Sequence, residues 1–297
     1  MHVSRIDLAL RYQLAGPAHF CFNIEAANTP LQRIVSEAVT LSPPVSAHHY
    51  EDANSGNRFI RFDADAGPLE VNYQATVELQ PQAPAEGLAE VPVSDVPDNV
   101  LRYLMPSRYC ESDVMSRSAQ QIFGRMAPGY ERVKAVTEWV RDSIVYLPGS
   151  TTSTTTAQEV FVLRAGVCRD FAHLGITMCR ALNIPARLVV GYVNFEEPPQ
   201  DFHAIFEAWL GGRWVLFDPS GMAPVDRLVR IGTGRDAKDV AFATIFGPAM
   251  MTSKAVTVDE SDNGVAGAPV TIPQPPVAQA PARMDEQSEQ PVAVATA

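Results

Sequence analysis

Two stretches carry side chains capable of nucleophilic chemistry: RAGVCRDFAHLGITMCRALNIPAR, residues 164–187, and DFHAIFEAWLGGRWVLFDPSG, residues 201–221. In the first, Cys168, Ala172, Gly175, Cys179 and Leu182 recur at the spacing of one helical face, which Phe171 widens. The two cysteines are separated by about 16 Å along such a helix, at roughly 1.5 Å per residue. A disulfide needs Cα atoms within about 7 Å, so the pair can form neither a bridge nor a shared small metal site. His173 lies about 140° around the helix from Cys168 and points elsewhere. Cys168 stands two residues after Gly166, at the predicted helix start, where unpaired N–H groups and the helix dipole favour a thiolate. Any base for this thiol must come from another part of the chain.

The second stretch supplies one. HAIFEAWL alternates as a strand, with His203, Ile205, Glu207 and Trp209 on one face and Ala204, Phe206, Ala208 and Leu210 on the other. A two-residue turn at Gly211 and Gly212 pairs Leu210 with Arg213, Phe206 with Phe217 and Ile205 with Asp218. Asp218 then shares the His203 face as a diagonal neighbour, about 7–8 Å away by Cα. A three-residue turn would break this parity. The expectation is a thiol acyl-transfer machine. Cys168 is the nucleophile, His203 the general base and acid, and Asp218 the group that fixes the imidazole tautomer. Backbone N–H groups near Cys168 offer part of an oxyanion hole. His173 and Cys179 read as structural, Asp170 as an acid complementing the helix dipole, Asp201 as a loop acid and Tyr192 as a packing aromatic.

These residues need two kinds of scaffold. Residues 1–95 read as short strands, IDLALRYQL, RFIRFDA and LEVNYQATVEL among them, punctuated by Pro and Gly. A small β-sandwich is expected. HHYED, residues 48–52, reads as a solvated loop. PQAPAEG, residues 81–87, with Pro92 and Pro97, marks the connector to a second domain over residues 96–257. There YERVKAVTEWVRDSIVY places Val133, Val136, Val140 and Ile144 on one helical stripe, with Trp139 beside it. ARLVVGYV follows the cysteine helix as a buried strand. From residue 258 the composition collapses to Pro, Ala, Gln, Val and acids, so residues 258–297 are expected to be a disordered tail.

The chain has 297 residues and a formal net charge of −11. An acidic surface argues against nucleic acid or an anionic membrane as the main partner. No apolar run approaches the roughly 18 residues of a membrane span, and the N-terminus reads as a first strand, not a signal peptide. Four cysteines without paired short spacing are expected as reduced thiols in a cytoplasmic protein. No metal, nucleotide or flavin is implied.

GVCRDFAHL and CRALNIPARLVVGYV, followed by DFHAIFEAWLGGRWVLFDPSG, resemble the transglutaminase-like superfamily, in its bacterial branch of cysteine peptidases. The segments LMPSRYCESD (residues 104–113) and GRDAKDVAF (residues 234–242) are similar to that branch as well. The resemblance implies an α+β chain: an N-terminal β-domain followed by a papain-like core, in which a central cysteine helix packs on an antiparallel sheet. It places nucleophile, base and orienting acid at Cys168, His203 and Asp218. The sequence departs at Ile205, where many relatives have tryptophan. The oxyanion-hole side chain has no clear counterpart, and Trp139 and Tyr146 are the candidates. The resemblance implies a protein or peptide carboxamide substrate and a thioester intermediate. Hydrolysis is favoured over transglutaminase cross-linking. A non-catalytic protein-binding module and service in a peptide-ligation pathway are the other readings.

Overall fold

The computed structural model describes residues 2–261. Strands β1 (His2–Leu14), β2 (Ala18–Phe22), β3 (Gln32–Ser42), β4 (His48–Glu51), β5 (Arg58–Ala64) and β6 (Gly67–Leu79) come first. Then follow α1 (Asp98–Leu101), α2 (Ser112–Phe123), α3 (Tyr130–Ser143), β7 (Val145–Tyr146), α4 (Ala157–Leu163), β8 (Ala165–Gly166) and α5 (Cys168–Ala181). The rest comprises β9 (Ala186–Tyr192), β10 (His203–Leu210), β11 (Arg213–Phe217), β12 (Val229–Gly234), β13 (Ala243–Phe246) and β14 (Ala249–Ser261).

Alternation makes the N-terminal strands. Along β1, Ile6, Leu8, Leu10, Tyr12 and Leu14 are buried while Asp7, Arg11 and Gln13 face solvent. Two antiparallel sheets, ordered β14-β1-β6-β3 and β13-β2-β5-β4, close over a shared core of Leu8, Leu10, Phe20, Phe22, Ile60, Val71 and Tyr73. HHYED forms β4 and its flank rather than a free loop. The imidazole of His49 sits 3.4 Å from Glu25, and no metal-holding cluster occurs among the described residues.

Strand β14 departs from the sequence reading, which ended the core at residue 257 and began the tail at 258. The last described strand runs through Ser261 and pairs with β1 from Val3 to Leu14. The β-domain is therefore completed from the far end of the chain. Only Val256 and Val258 of β14 are fully buried, opposite Leu8 and Ile6. An edge strand with two core contacts carries little local hydrophobic signal. The expected disorder of residues 262–297 lies outside the described residues.

The sheet of the second half, ordered β11-β10-β9-β12, is antiparallel throughout. Helix α5 packs on it where Gly175 meets Phe206; a Cβ at Gly175 would fall 2.7 Å from the phenyl ring. Helices α2, α3 and α4 surround α5. The two cores touch: Tyr192, Val229 and Ile231 pack into the sandwich, and the Tyr192 hydroxyl donates to the Ile24 carbonyl at 2.7 Å. The connector is fastened as well. Gly211 N–H donates to Ala89 O and Tyr130 N–H to Leu88 O, each at 2.8 Å. Among the described residues no helix is long and apolar enough to cross a membrane.

Candidate active site

The nucleophile candidate opens α5. The preceding residue, Val167, has no side-chain oxygen, so the helix is capped from within: Asp170 Oδ2 accepts the Val167 N–H at 2.9 Å. The same oxygen accepts the Thr151 hydroxyl at 2.6 Å, and the carboxylate is fully buried. Asp170 thus serves the helix terminus, as the sequence suggested. The N–H groups of Cys168 and Arg169, in the first helical turn, have no intrahelical carbonyl to bond. Gly166 makes this geometry possible, because a Cβ there would lie 2.7 Å from the Asp170 Cβ. Gly166→Ala is therefore expected to strain the cap by about 1–3 kcal/mol. Thermal melting should show a loss of several degrees, and an unchanged midpoint would contradict the role given to the glycine.

The hairpin forms with the predicted register. Leu210 pairs with Arg213 and Phe206 with Phe217, across Gly211 (φ 55°) and Gly212 (φ 82°). Both glycines occupy the left-handed region that a two-residue primed turn demands. Asp218 follows β11 directly. Its Oδ2 lies 3.0 Å from His203 Nε2, and both residues are buried, 5% and 1% exposed. Oδ1 accepts the Ser220 N–H at 2.8 Å and the Ser220 hydroxyl at 2.6 Å; the Ala223 N–H reaches Oδ2 at 3.3 Å. Burial works against the Asp218 charge, but the bonds to His203 and Ser220 outweigh it and hold the carboxyl below its ordinary range. Arg141 donates to the Asp218 carbonyl at 3.0 Å and so fixes the main chain at the same point.

An ionised Asp218 can only accept, so Nε2 must carry a proton. The other ring nitrogen, Nδ1, is buried with no hydrogen-bond partner among the described residues. Burial lowers the imidazole's proton affinity, but the Asp218 carboxylate and then the Cys168 thiol overcompensate, pushing the His203 pKa up to about 10. The structure thus joins two of the three predicted residues, His203 and Asp218, by a hydrogen bond, and Cys168 lies near enough to act on the imidazole's charge.

Of the two oxyanion-hole candidates, only Tyr146 stands beside the sulfur. The parallel pair β7–β8 sets Tyr146 opposite Gly166, and Leu147 N–H donates to Gly166 O at 2.9 Å. Burial, followed by the charge of Cys168, pushes the phenol up to about 12, so it remains a donor at neutral pH. Trp139 instead packs on Phe161 and Phe123 under the Arg164 guanidinium. His173 is structural: its Nε2 accepts the Ala237 N–H at 3.1 Å, its ring stacks on Tyr109, and burial lowers its pKa to about 3. Cys179 and Cys110 are buried, and burial pushes both thiols up. Ile205 packs with Val189, Val193, Phe195 and Leu228.

The segment leading into His203 is tied to the β-domain. Asn194 N–H donates to Glu260 at 3.1 Å, Val258 N–H to Gln200 at 2.5 Å, and Lys254 pairs with Asp201. Phe202 stacks on Phe242 and packs at a tilt against Tyr192. Ser220, Arg141 and this staple went unread in the sequence. Ser220 alone had a local signal, a serine two residues after an aspartate, the spacing of an Asx turn.

Comparisons with known proteins agree with this layout. Residues 116–219 match the model of the transglutaminase-like superfamily, and residues 3–99 match that of the bacterial transglutaminase N-terminal domain. An uncharacterized protein of Mycobacterium leprae is 30% identical over 260 residues, covering 80% of this chain and 90% of its own length. An uncharacterized protein of Mycobacterium tuberculosis is 33% identical over 143 residues, 43% of this chain and 46% of that one. A crystal structure described as a "putative cysteine protease" from Cytophaga hutchinsonii superposes with a TM-score of 0.85 at 40% identity, covering 88% of this chain and 91% of that one.

Proposed function

For a chain that belongs to the transglutaminase-like superfamily, as this one does, we propose thiol-dependent acyl transfer on peptide or protein carboxamides, with water as the usual acceptor. The observation that carries this reading is the His203 imidazole, bonded to a buried carboxylate on one nitrogen and open to the Cys168 thiol on the other. The Cys168 thiolate attacks the amide carbon and forms a carbon–sulfur bond. The carbonyl oxygen gains negative charge, which the first-turn N–H groups and the Tyr146 hydroxyl receive. The His203 imidazolium gives its proton to the leaving nitrogen, the carbon–nitrogen bond breaks, and a thioester remains. Water then attacks the thioester while His203 takes its proton. The acid departs and the thiol is restored. A primary amine in place of water would make the same steps a cross-linking reaction.

Hydrolysis is supported by the Cytophaga hutchinsonii relative, whose description is that of a protease. The acidic balance of the chain suits neither nucleic acid nor anionic membrane as a partner. Four free cysteines suit a reducing compartment, consistent with a cytoplasmic location. Incubating the full chain with a peptide library and scanning by mass for cleavage, deamidation and amine incorporation tests the reading. Cys168-dependent mass changes support it, and products that persist in Cys168→Ala contradict it. Tyr146→Phe is expected to lower kcat by about 10²–10³-fold with little change in KM, the cost of one oxyanion donor. A raised KM with kcat unchanged would instead mark Tyr146 as a substrate-packing residue.

A further inference from the structure

A cavity between the β-domain and the far side of the catalytic sheet carries more positive charge than its own residues neutralise. It encloses about 550 Å³, bounded by residues 27–31 and 55–57 of the sandwich, residues 81–83 of the connector, and the strands β9 to β12. That volume falls within the roughly 300–1,000 Å³ of small-molecule sites, which favour domain junctions. Three guanidiniums line it, those of Arg187, Arg213 and Arg230, against one carboxylate, Glu207.

Glu207 is 1% exposed and lies across the β9–β10 ladder from Arg187. Its Oε1 accepts Arg187 Nε at 2.5 Å and Arg230 Nη1 at 3.0 Å, and its Oε2 accepts Arg230 Nη2 at 2.7 Å. Both oxygens are engaged, and the single negative charge is shared between two cations that are only 17% and 12% exposed. Arg213 adds a third charge; among the described residues its Nη2 is held by the neutral carbonyls of Ala83 and Pro84, at 3.0 and 2.6 Å. The nearby acid Asp226 lines an adjoining, smaller cavity with Arg230 and forms no ion pair among the described residues. The Arg187 guanidinium lies 4.1 Å from the Trp214 ring centroid, which fixes its plane and offsets part of its charge. Enclosing uncompensated positive charge is costly.

We propose that this interdomain cavity binds a small molecule bearing an oxyanion, a carboxylate or a phosphate, through the guanidinium nitrogens that Glu207 leaves unengaged. Planar guanidinium forks match such groups in paired hydrogen bonds. The site is separate from the thiol centre: Glu207 stands four residues along β10 from His203, about 13 Å at roughly 3.3 Å per residue. Because its walls come from both halves of the chain, the ligand would tie the β-domain to the sheet that carries His203.

The test is calorimetric titration of the full chain with sodium citrate and, separately, with sodium pyrophosphate, at constant ionic strength maintained with sodium chloride. One saturable site for either anion is expected, and the anion that binds more tightly identifies the ligand's chemistry as carboxylate or phosphate. Arg213→Gln, on a half-exposed strand end away from the thiol, is expected to weaken that binding about tenfold while the unliganded protein still melts in one cooperative transition. Arg187→Gln serves as the second variant, with the same expected direction. Saturable binding of neither anion overturns the proposal. So does binding that both variants leave at wild-type strength.

Discussion

Asp218→Asn is expected to lower kcat by about 10⁴-fold, the scale of loss when a histidine base is held in the wrong tautomer. The local hydrogen bonds predict which way the new amide turns. Two donors from Ser220 converge on Oδ1 at 2.8 and 2.6 Å, whereas Oδ2 receives His203 Nε2 and a longer contact from Ala223. The amide oxygen will therefore take the Ser220 side, and its NH₂ will face Nε2. That nitrogen must then accept, so the proton moves to Nδ1, the side open to Cys168. An Nδ1–H imidazole cannot take a proton from the thiol. KM should move little, because no substrate contact is lost. Turnover within a few-fold of wild type would show that Asp218 is only a turn acid. Single-turnover assays on any peptide that the library identifies provide the measurement, with Ser220→Ala as a companion. Without the Ser220 hydroxyl only the backbone N–H of residue 220 still holds the amide oxygen, so the flip becomes easier and Asp218→Asn placed in the Ser220→Ala background is expected to recover part of the loss. Non-additivity of this kind is what a shared hydrogen-bond network produces.

Ending the chain after Gly247 is expected to abolish cooperative folding of the β-domain. The deletion removes β14, which pairs with every residue of β1 from Val3 to Leu14. Val256 and Val258 lose their burial, at about 1.5–3 kcal/mol each, and the long strand β1 becomes an open edge prone to association. A net stability of about 5–15 kcal/mol leaves little margin for such losses. The effect reaches the thiol centre, because Glu260, Val258 and Lys254 hold residues 194–201 ahead of His203. Circular dichroism melting and size exclusion would read the outcome. A soluble truncated protein with a sharp wild-type transition would mean that β14 is dispensable.

The residues of the thiol centre were legible because each is set by local chemistry. Gly211–Gly212 fixes an even turn, and turn parity alone places Asp218 on the His203 face. Gly166 before Cys168 marks the tight start of α5, and the structure shows Asp170 filling the space that a Cβ would take. What could not be read depends on partners distant in sequence. Strand β14 acquires its meaning only from β1 at the other end of the chain. Tyr146 was one of two candidates, and the choice between it and Trp139 rested on a two-residue parallel pair with no periodic signature. Arg141 on α3 looks like any surface arginine until Asp218 O arrives beside it. The boundary at residue 257 failed for the same reason: composition marks where hydrophobic burial thins, and β14 buries only two side chains.

The central claim is that His203 keeps Cys168 ready as a nucleophile. The most direct test is the alkylation rate of Cys168 by iodoacetamide across pH, read by peptide mass, in the wild-type chain and in His203→Gln. Against the opposing effect of burial, the Asp218 carboxylate raises the proton affinity of the His203 imidazole, which suits the ring to take the sulfur's proton and to stand beside it as a cation. The account predicts alkylation in the wild type at least about tenfold faster than in His203→Gln at pH values well below the roughly 8.5 of an ordinary thiol. Coincident profiles for the two proteins, both rising only near that value, would contradict it.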